Sequence, residues 1–152
     1  GINYKGFFLT MNWTGAAQRS LLLDGAFREP FGNGKIRGLM QFHADTRWTP
    51  ETANTATTPR FTETNAVYNM RSSSLWVRDG SYLKLKNVTI GYNFTDKKML
   101  KKLGIQQLGI NLAGYNLLTF DKFDIMEPEC NPNNADSYPI IKIYNLGINL
   151  TF

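Results

Sequence analysis

The feature that most constrains the fold is the alternation of apolar and polar residues in YNLGINLTF, which occupies positions 144–152. Every second side chain is apolar, and the side chains between them are Asn, Gly or Thr. Successive residues of a β-strand face opposite sides of the sheet, so this period predicts a strand with one apolar and one small, polar face. The apolar positions are Tyr144, Leu146, Ile148, Leu150 and Phe152.

The same period of two recurs in three earlier segments, so the sequence predicts four strands. In the second strand the apolar residues lie at odd positions up to Leu85 and at even positions from Val88. We interpret this exchange as a strand that projects beyond a membrane. The predicted strands cover residues 4–14, 76–94, 107–119 and 140–152.

The segments between the strands alternate between long and short. Residues 15–75 and 120–139 are rich in Gly, Pro, Asn and Asp, which predicts two long loops. Apolar residues with helical spacing predict a short helix over 36–46, in which His43 packs against neighbours rather than binding a metal. The short connector TDKKMLKKLG, 95–104, predicts a second helix with a solvated lysine face.

Composition excludes several classes of function. The net charge is +5, but the one basic cluster has no interleaved aromatic residues, so we expect no nucleic-acid partner. With one Cys and one His, no metal-ligand spacing occurs, and no catalytic or cofactor motif is present. We therefore expect a protein that is not an enzyme and that has no metal and no cofactor.

Loop lengths and strand faces together predict the fold class. Long outer loops and short inner turns are typical of outer-membrane barrels, whose spanning strands need about 9–11 residues. In the last halves of the strands the polar faces are small and nearly neutral, which suits the wall of a polar lumen. The predicted fold is all-β: the C-terminal four antiparallel strands of a large transmembrane β-barrel with long extracellular loops at 15–75 and 120–139.

Several segments, in order, resemble the C-terminal end of the SusC/RagA-like TonB-dependent transporters. They are LWVRDGSYLKLKNVTIGYNF, KKLGI, LAGYNLLTFDKFD, a loop containing EPE, YP and the terminal GINLTF. The stretch DTRWTPETANTATTPRF, Asp45 to Phe61, resembles a loop of the same family, and YKGFFLTMNWTG resembles an upstream strand. The resemblance covers nearly the whole chain.

The resemblance implies a plugged barrel of about 22 strands in the Gram-negative outer membrane. Such proteins import oligosaccharides or peptides, take energy from TonB, and work with a SusD-like surface lipoprotein. The chain shows no signal peptide, plug or TonB-contacting segment, so we expect a fragment that needs the remainder of the same barrel and plug. Outer-membrane lipid is a further expected partner.

The resemblance also implies roles for particular residues. The terminal strand would carry the signal read by the barrel-assembly machinery, through Tyr144, Leu146, Ile148, Leu150 and Phe152. The aromatic and polar loop residues Trp48, Arg60, Phe61 and Trp76 would contact the substrate or the lipoprotein lid. Near the inner interface, Tyr92, Phe94 and Phe152 would join an aromatic girdle.

Two alternatives remain open at this stage. One is a soluble β-sandwich that binds carbohydrate, although four strands alone would expose unpaired edges. The other is an enzyme domain or a cation site that uses the carboxylates of one loop. Those carboxylates belong to Asp121, Asp124, Glu127 and Glu129.

Overall fold

The computed structural model describes the chain in two compact units. The described residues are 1–32, 38–62, 66–102, 104–123, 125–131 and 138–152. The first unit, here called the sheet unit, comprises Gly1–Ala16, Tyr82–Asp121 and Ile140–Phe152. The second, the loop unit, comprises Ala17–Ser81 and Lys122–Pro139.

The sheet unit is one five-stranded antiparallel sheet with strand order β1-β2-β5-β6-β7. The five strands form a meander. After each connection, short or long, the chain returns beside the strand that precedes it in this sheet. The strands are β1 (Ile2–Tyr4), β2 (Phe7–Ala16), β5 (Tyr82–Asn93), β6 (Gln107–Asp121) and β7 (Ile143–Thr151). The prominence of β-structure agrees with the predicted fold class.

The first predicted strand, 4–14, is instead part of a hairpin formed by β1 and β2. Lys5 and Gly6 form its two-residue turn with φ values of 45° and 89°. Two positive φ angles are typical of the type I′ turn, whose twist matches that of the flanking strands. A Cβ at Gly6 would clash with the carbonyl oxygen of Asn93, so glycine suits this position on two counts.

A β-bulge in β5 explains the exchange of apolar positions that the sequence shows in this strand. Met11 of β2 pairs with Val88, whereas Trp13 pairs with Leu85, so Lys86 is an extra residue in β5. Because Met11 and Trp13 share one face of β2, Leu85 and Val88 also share one face. The apolar side chains of β5 therefore stay on one face on both sides of the bulge. The exchange of positions does not require a strand that projects beyond a membrane.

The predicted strand 76–94 also divides into two elements. Its first residues form β4 (Val77–Asp79), which pairs with β3 (Ser20–Leu22) in a separate two-stranded sheet of the loop unit. Between β4 and β5, the amide of Ser81 donates a hydrogen bond of 2.9 Å to Asp79 Oδ1. Hydrogen bonds from Ser81, its hydroxyl first, lower the pKa of Asp79.

Short helices accompany the strands. They are α1 (Gln41–Thr46), α2 (Ala66–Asn69), α3 (Lys97–Lys102) and the 3₁₀ turns Gly25–Phe27 and Ser74–Trp76. The helix predicted over 36–46 begins only at Gln41, because Met40 is extended, and Ile36 lies outside the described residues. In the described ranges, no helix has the length and apolar character needed to cross a bilayer.

The loop unit has a small hydrophobic core of its own. Its buried residues are Leu21, Leu23, Phe27, Trp76 and Phe123. Partly buried apolar side chains pack around them: Met40, Phe42, Met70, Ile125 and Met126. The segment predicted as a 15–75 loop therefore contains a strand, helices and most of a core, which fixes the positions of its surface residues.

Candidate functional site

One face of the five-stranded sheet is apolar from strand to strand. The register places Leu9 opposite Ile90, Ile90 opposite Leu112, and Leu112 opposite Leu146. A second row runs in the same way through Phe7, Tyr92, Ile110 and Ile148. We call this surface the apolar face; it also includes Met11, Trp13, Leu83, Leu85, Val88, Leu108, Leu118, Phe120, Tyr144 and Leu150.

Most of the apolar face is exposed within this chain. Leu112 exposes 49% of its surface, Ile148 62% and Leu146 73%. Soluble monomers rarely expose apolar patches larger than a few hundred Å², so contiguous rows of this extent mark an interaction surface. The face requires apolar surroundings, either hydrocarbon or another protein surface.

Part of the opposite face of the same strands is small and polar, although larger side chains such as Phe8, Lys84 and Tyr115 also lie on this face. One row runs through Thr10, Thr89, Ala113 and Asn145. A Cβ added at Gly147 would lie 2.7 Å from Asn111 Oδ1, so a glycine there leaves room for the neighbouring amide. Hydroxyl and amide groups without charge suit a water-facing wall rather than a protein core.

The strand predicted to carry the assembly signal is β7. Tyr144, Leu146, Ile148 and Leu150 lie on the apolar face, and all four are about half exposed or more. Phe152 follows the last strand residue and exposes 77% of its surface. In the described chain, β7 pairs with β6 alone, so its other edge is available for a further strand.

In the loop unit, backbone hydrogen bonds fix the segment that carries Trp48. The Trp48 amide donates to the carbonyl oxygen of Thr58 at 3.0 Å, and the Thr58 amide donates to Thr46 at 3.0 Å. Inside the loop, the Thr49 amide donates to the Thr52 hydroxyl at 2.8 Å. Trp48 is 38% exposed on this fixed loop.

Phe61 lies in a small cluster that sequence reasoning found only in part. Its ring meets Phe31 edge to face with 5.9 Å between centroids, and the Arg47 guanidinium lies 5.6 Å from its centroid. Arg47 precedes Trp48 and Arg60 precedes Phe61, so the predicted residues lie on neighbouring segments. We call Phe31, Arg47, Trp48, Arg60 and Phe61 the loop patch; no sequence signal distinguished Phe31 or Arg47.

Trp76 does not belong to the loop patch. It is 1% exposed within the core of the loop unit, and its Nε1–H donates a 3.0 Å hydrogen bond to the carbonyl of Asn69. Its carbonyl accepts from the Leu23 amide at 2.9 Å. The prediction that Trp76 contacts a substrate or a lid is corrected by this burial: the side chain stabilises the loop unit from inside.

His43 is buried within the same loop unit. Its Nε2 lies 2.8 Å from the carbonyl oxygen of Phe27, so the neutral ring carries its proton on Nε2. Nδ1 is buried without a hydrogen-bond partner among the described residues. Burial lowers the pKa of His43, because the desolvated imidazolium is disfavoured, although the hydrogen bond to Phe27 opposes this shift.

The described residues contain no group of three or more His, Cys, Asp or Glu side chains that could hold a metal ion. Of the carboxylates considered for an enzyme or a cation site, Asp124 lies outside the described residues. Asp121, Glu127 and Glu129 each have interaction partners within the chain.

Comparison with known sequences gives two related proteins of Formosa agariphila. TonB-dependent receptor P3 is 35% identical over 118 residues, which covers 69% of this chain. TonB-dependent receptor P26 is 33% identical over 118 residues, which covers 70% of this chain. The chain spans only about a tenth of these relatives, 11% and 12% of their lengths. No protein-family model matches the chain.

Comparison with solved structures agrees with the comparison of sequences. The RagAB peptide transporter matches 99% of this chain with a TM-score of 0.70 and 21% identity. The RagAB peptide importer in its open-open state matches 98% with a TM-score of 0.69 and 20% identity. Each match covers 16% of the RagAB chain. The resemblance to SusC/RagA-like TonB-dependent receptors is confirmed. The chain has the fold of one part of such a receptor.

Proposed function

We propose that this chain forms part of the wall of a transmembrane barrel, with the apolar face toward lipid and the polar face toward the lumen. The observation that carries the proposal is the pair of apolar rows that runs from strand to strand across β2, β5, β6 and β7. Lipid acyl chains can cover such a face, so no second layer of protein is needed. The small polar row opposite suits a water-filled lumen, in a barrel of about 22 strands.

The whole protein, in this proposal, is an outer-membrane transporter that imports oligosaccharides or peptides with energy from TonB. The relatives named as TonB-dependent receptors support this activity. The fold shared with a peptide importer is compatible with peptides but does not distinguish them from glycans. A SusD-like lipoprotein, the plug and the remainder of the barrel complete the complex.

The loop patch is the proposed contact with the substrate or with the lipoprotein. An aromatic ring with a guanidinium group beside it, as Phe61 has in Arg47, can stack on a sugar or a peptide plane and donate hydrogen bonds at its rim. Trp48, Arg60 and Phe61 keep this role. Phe31 and Arg47 join them because they contact Phe61, whereas Trp76 is excluded by its burial.

We further propose that β7 carries the signal for the barrel-assembly machinery. Its alternating residues Tyr144, Leu146, Ile148 and Leu150 lie on the apolar face, and the outer edge of β7 pairs with no strand among the described residues. Phe152 supplies the aromatic ring at the end of the pattern. A strand with one free edge and an exposed apolar row is suited to pairing during assembly.

Membrane fractionation followed by copurification tests the proposed function. The complete gene product, tagged in an extracellular loop, is extracted from outer membranes with detergent, and the proteins that copurify are identified by mass spectrometry. We expect a plug-and-barrel polypeptide that contains this chain, together with a surface lipoprotein. Deletion of the gene should abolish growth on either glycans or peptides, which identifies the substrate class.

The soluble carbohydrate-binding module is the alternative that this experiment separates. Recovery of the chain in the soluble fraction as a lone 17.3 kDa species would contradict the barrel. An outer-membrane protein that copurifies with no lipoprotein would retain the barrel proposal and reject the partner.

A further inference from the structure

Five of the eight lysines of the sheet unit lie at one end of the sheet. Lys5 lies in the β1–β2 turn, and Lys97, Lys98, Lys101 and Lys102 lie in α3, which joins β5 to β6. The Asn93 amide, at the end of β5, donates a 2.7 Å hydrogen bond to the carbonyl of Gly6. This bond holds the hairpin turn beside the start of the α3 connector, so the five lysines share one end.

Little negative charge offsets this lysine end. Across residues 1–16 and 93–106, Asp96 is the one acidic side chain. Its carboxylate caps α3: Asp96 Oδ1 accepts from the amides of Lys98 at 2.9 Å and Met99 at 3.3 Å. In the described part of the chain, none of the α3 lysines forms an ion pair, and all four are exposed.

Aromatic residues mark the same end of the apolar face. Phe7 pairs with Tyr92, and the Tyr92 ring meets Phe94 edge to face with 5.1 Å between centroids. The ammonium group of Lys5 lies 5.3 Å from the centroid of the Tyr4 ring. Tyrosine and phenylalanine rings next to lysines are typical of the level at which a bilayer changes from acyl chains to headgroups.

A groove at this end combines the two chemistries. It has a volume of about 420 Å³, and its lining includes the apolar side chains of Leu100, Ile105 and Phe152. Lys97 and Lys101, one helical turn apart on α3, line the same groove. An apolar floor with two ammonium groups suits a ligand that has an acyl chain and a negatively charged head.

We propose that the lysine end binds the headgroups of anionic phospholipids, with Lys97 and Lys101 holding the phosphodiester at the groove. This inference rests on the proposed function, because it requires the apolar face to lie against lipid. Charge complementarity favours an anionic lipid over a neutral one, since lysines near a membrane surface attract negative headgroups. The site would fix the depth of the sheet in the bilayer at this interface.

Native mass spectrometry tests the proposal on the complete gene product. The purified protein is given equal amounts of dioleoyl-phosphatidylglycerol and dioleoyl-phosphatidylcholine in detergent, and the bound lipids are counted. We expect a preference for phosphatidylglycerol that falls about tenfold or more in K97Q/K101Q and weakens as salt rises. K97R/K101R keeps both charges and should retain the preference.

The matched control is K122Q/K142Q, which removes the same charge outside the lysine end. Lys122 pairs only loosely with Asp79, at 3.9 Å, and 83% of its side chain is exposed. An unchanged preference in K97Q/K101Q, or an equal loss in the control, would overturn the proposal. So would a wild-type protein without any lipid preference.

A separate readout distinguishes these failures from failure of the barrel itself. A spin label at Leu146 reports contact with lipid independently of headgroup charge. A lipid-exposed label together with no lipid preference rejects the headgroup site alone. A label exposed to water rejects the proposed function, and the headgroup proposal falls with it.

Discussion

At the scale of single residues, two tryptophans have opposite roles in the loop unit. Trp76 is 1% exposed within the core, whereas Trp48 is 38% exposed on a loop fixed by threonine hydrogen bonds. Sequence reasoning grouped them because Trp48 lies in the long predicted loop and Trp76 lies directly after its end. Which of them reaches the surface depends on contacts with residues distant in the chain, such as Leu23 and Phe123.

The first prediction compares these two tryptophans by substitution. Trp76→Ala should destabilise the loop unit by about 3–5 kcal/mol, because it leaves a cavity and removes the donor to Asn69. Trp48→Ala should change stability by less than about 1 kcal/mol but lower substrate uptake. Hydrogen exchange of the loop unit and an uptake assay measure the two effects; equal destabilisation by both variants would contradict the assignment.

His43 gives a prediction of pH dependence. Burial lowers the pKa of His43 below its unfolded value of about 6.5, so the unfolded state binds the proton more readily. Its contribution to stability is therefore complete above about pH 6.5 and is lost progressively as the pH falls. Hydrogen exchange of peptides from α1, corrected for intrinsic rates, should lose protection between about pH 7 and pH 5.

His43→Gln is the matched variant for this prediction. Glutamine keeps a side-chain N–H that can donate to the Phe27 carbonyl, but it does not titrate in this range. The variant should show a flatter pH profile than the wild type. Identical profiles for the two proteins would assign the acid sensitivity to other groups.

At the scale of elements, β5 shows where pattern reading succeeds and where it fails. Alternation located the strand, because period two follows directly from backbone geometry. It did not locate the bulge at Lys86, since an extra residue appears in a sequence only as a phase change. The hairpin of β1 and β2 was missed for a related reason: a three-residue strand is too short to display a period.

Removing the extra residue provides a test at this scale. Deleting Lys86 should close the bulge and turn Leu83 and Leu85 to the polar face, which costs about 1.5–3 kcal/mol for each leucine. The assembled amount of the complete gene product in outer membranes should fall sharply. Lys86→Gln keeps the chain length and should assemble normally; equal assembly of the two variants would contradict the register.

The loop unit shows the limit of sequence reasoning for the candidate site. Tryptophan and arginine in Asp45–Phe61 drew attention to this segment through a family resemblance. The contacts of Phe61 with Phe31 and Arg47 join residues that are 30 and 14 positions apart, which periodicity cannot reveal. The helix predicted over 36–46 was shortened in the same way, because the extended backbone at Met40 overrides its apolar spacing.

At the scale of the molecule, the two faces of the sheet determine what surroundings the chain requires. A charge at Leu112, near the middle of an apolar row, should be costly if that row faces hydrocarbon. Leu112→Arg should destabilise the assembled protein by about 2–4 kcal/mol. Asn111 is the neighbour of Leu112 on the polar face, and Asn111→Arg should be tolerated. The folded fraction of each variant is measured in gels, by comparing the migration of heated and unheated samples.

The central claim is that the apolar face lies against lipid, and the accessibility of spin labels along β7 tests it most directly. Single labels at positions 145–150 of the complete gene product, with Cys130 replaced by Ser, are examined in vesicles by power saturation. Labels at Leu146, Ile148 and Leu150 should collide mainly with oxygen, and labels at Asn145, Gly147 and Asn149 mainly with a water-soluble nickel complex. Accessibility to nickel at all six positions, without a period of two, would contradict the account.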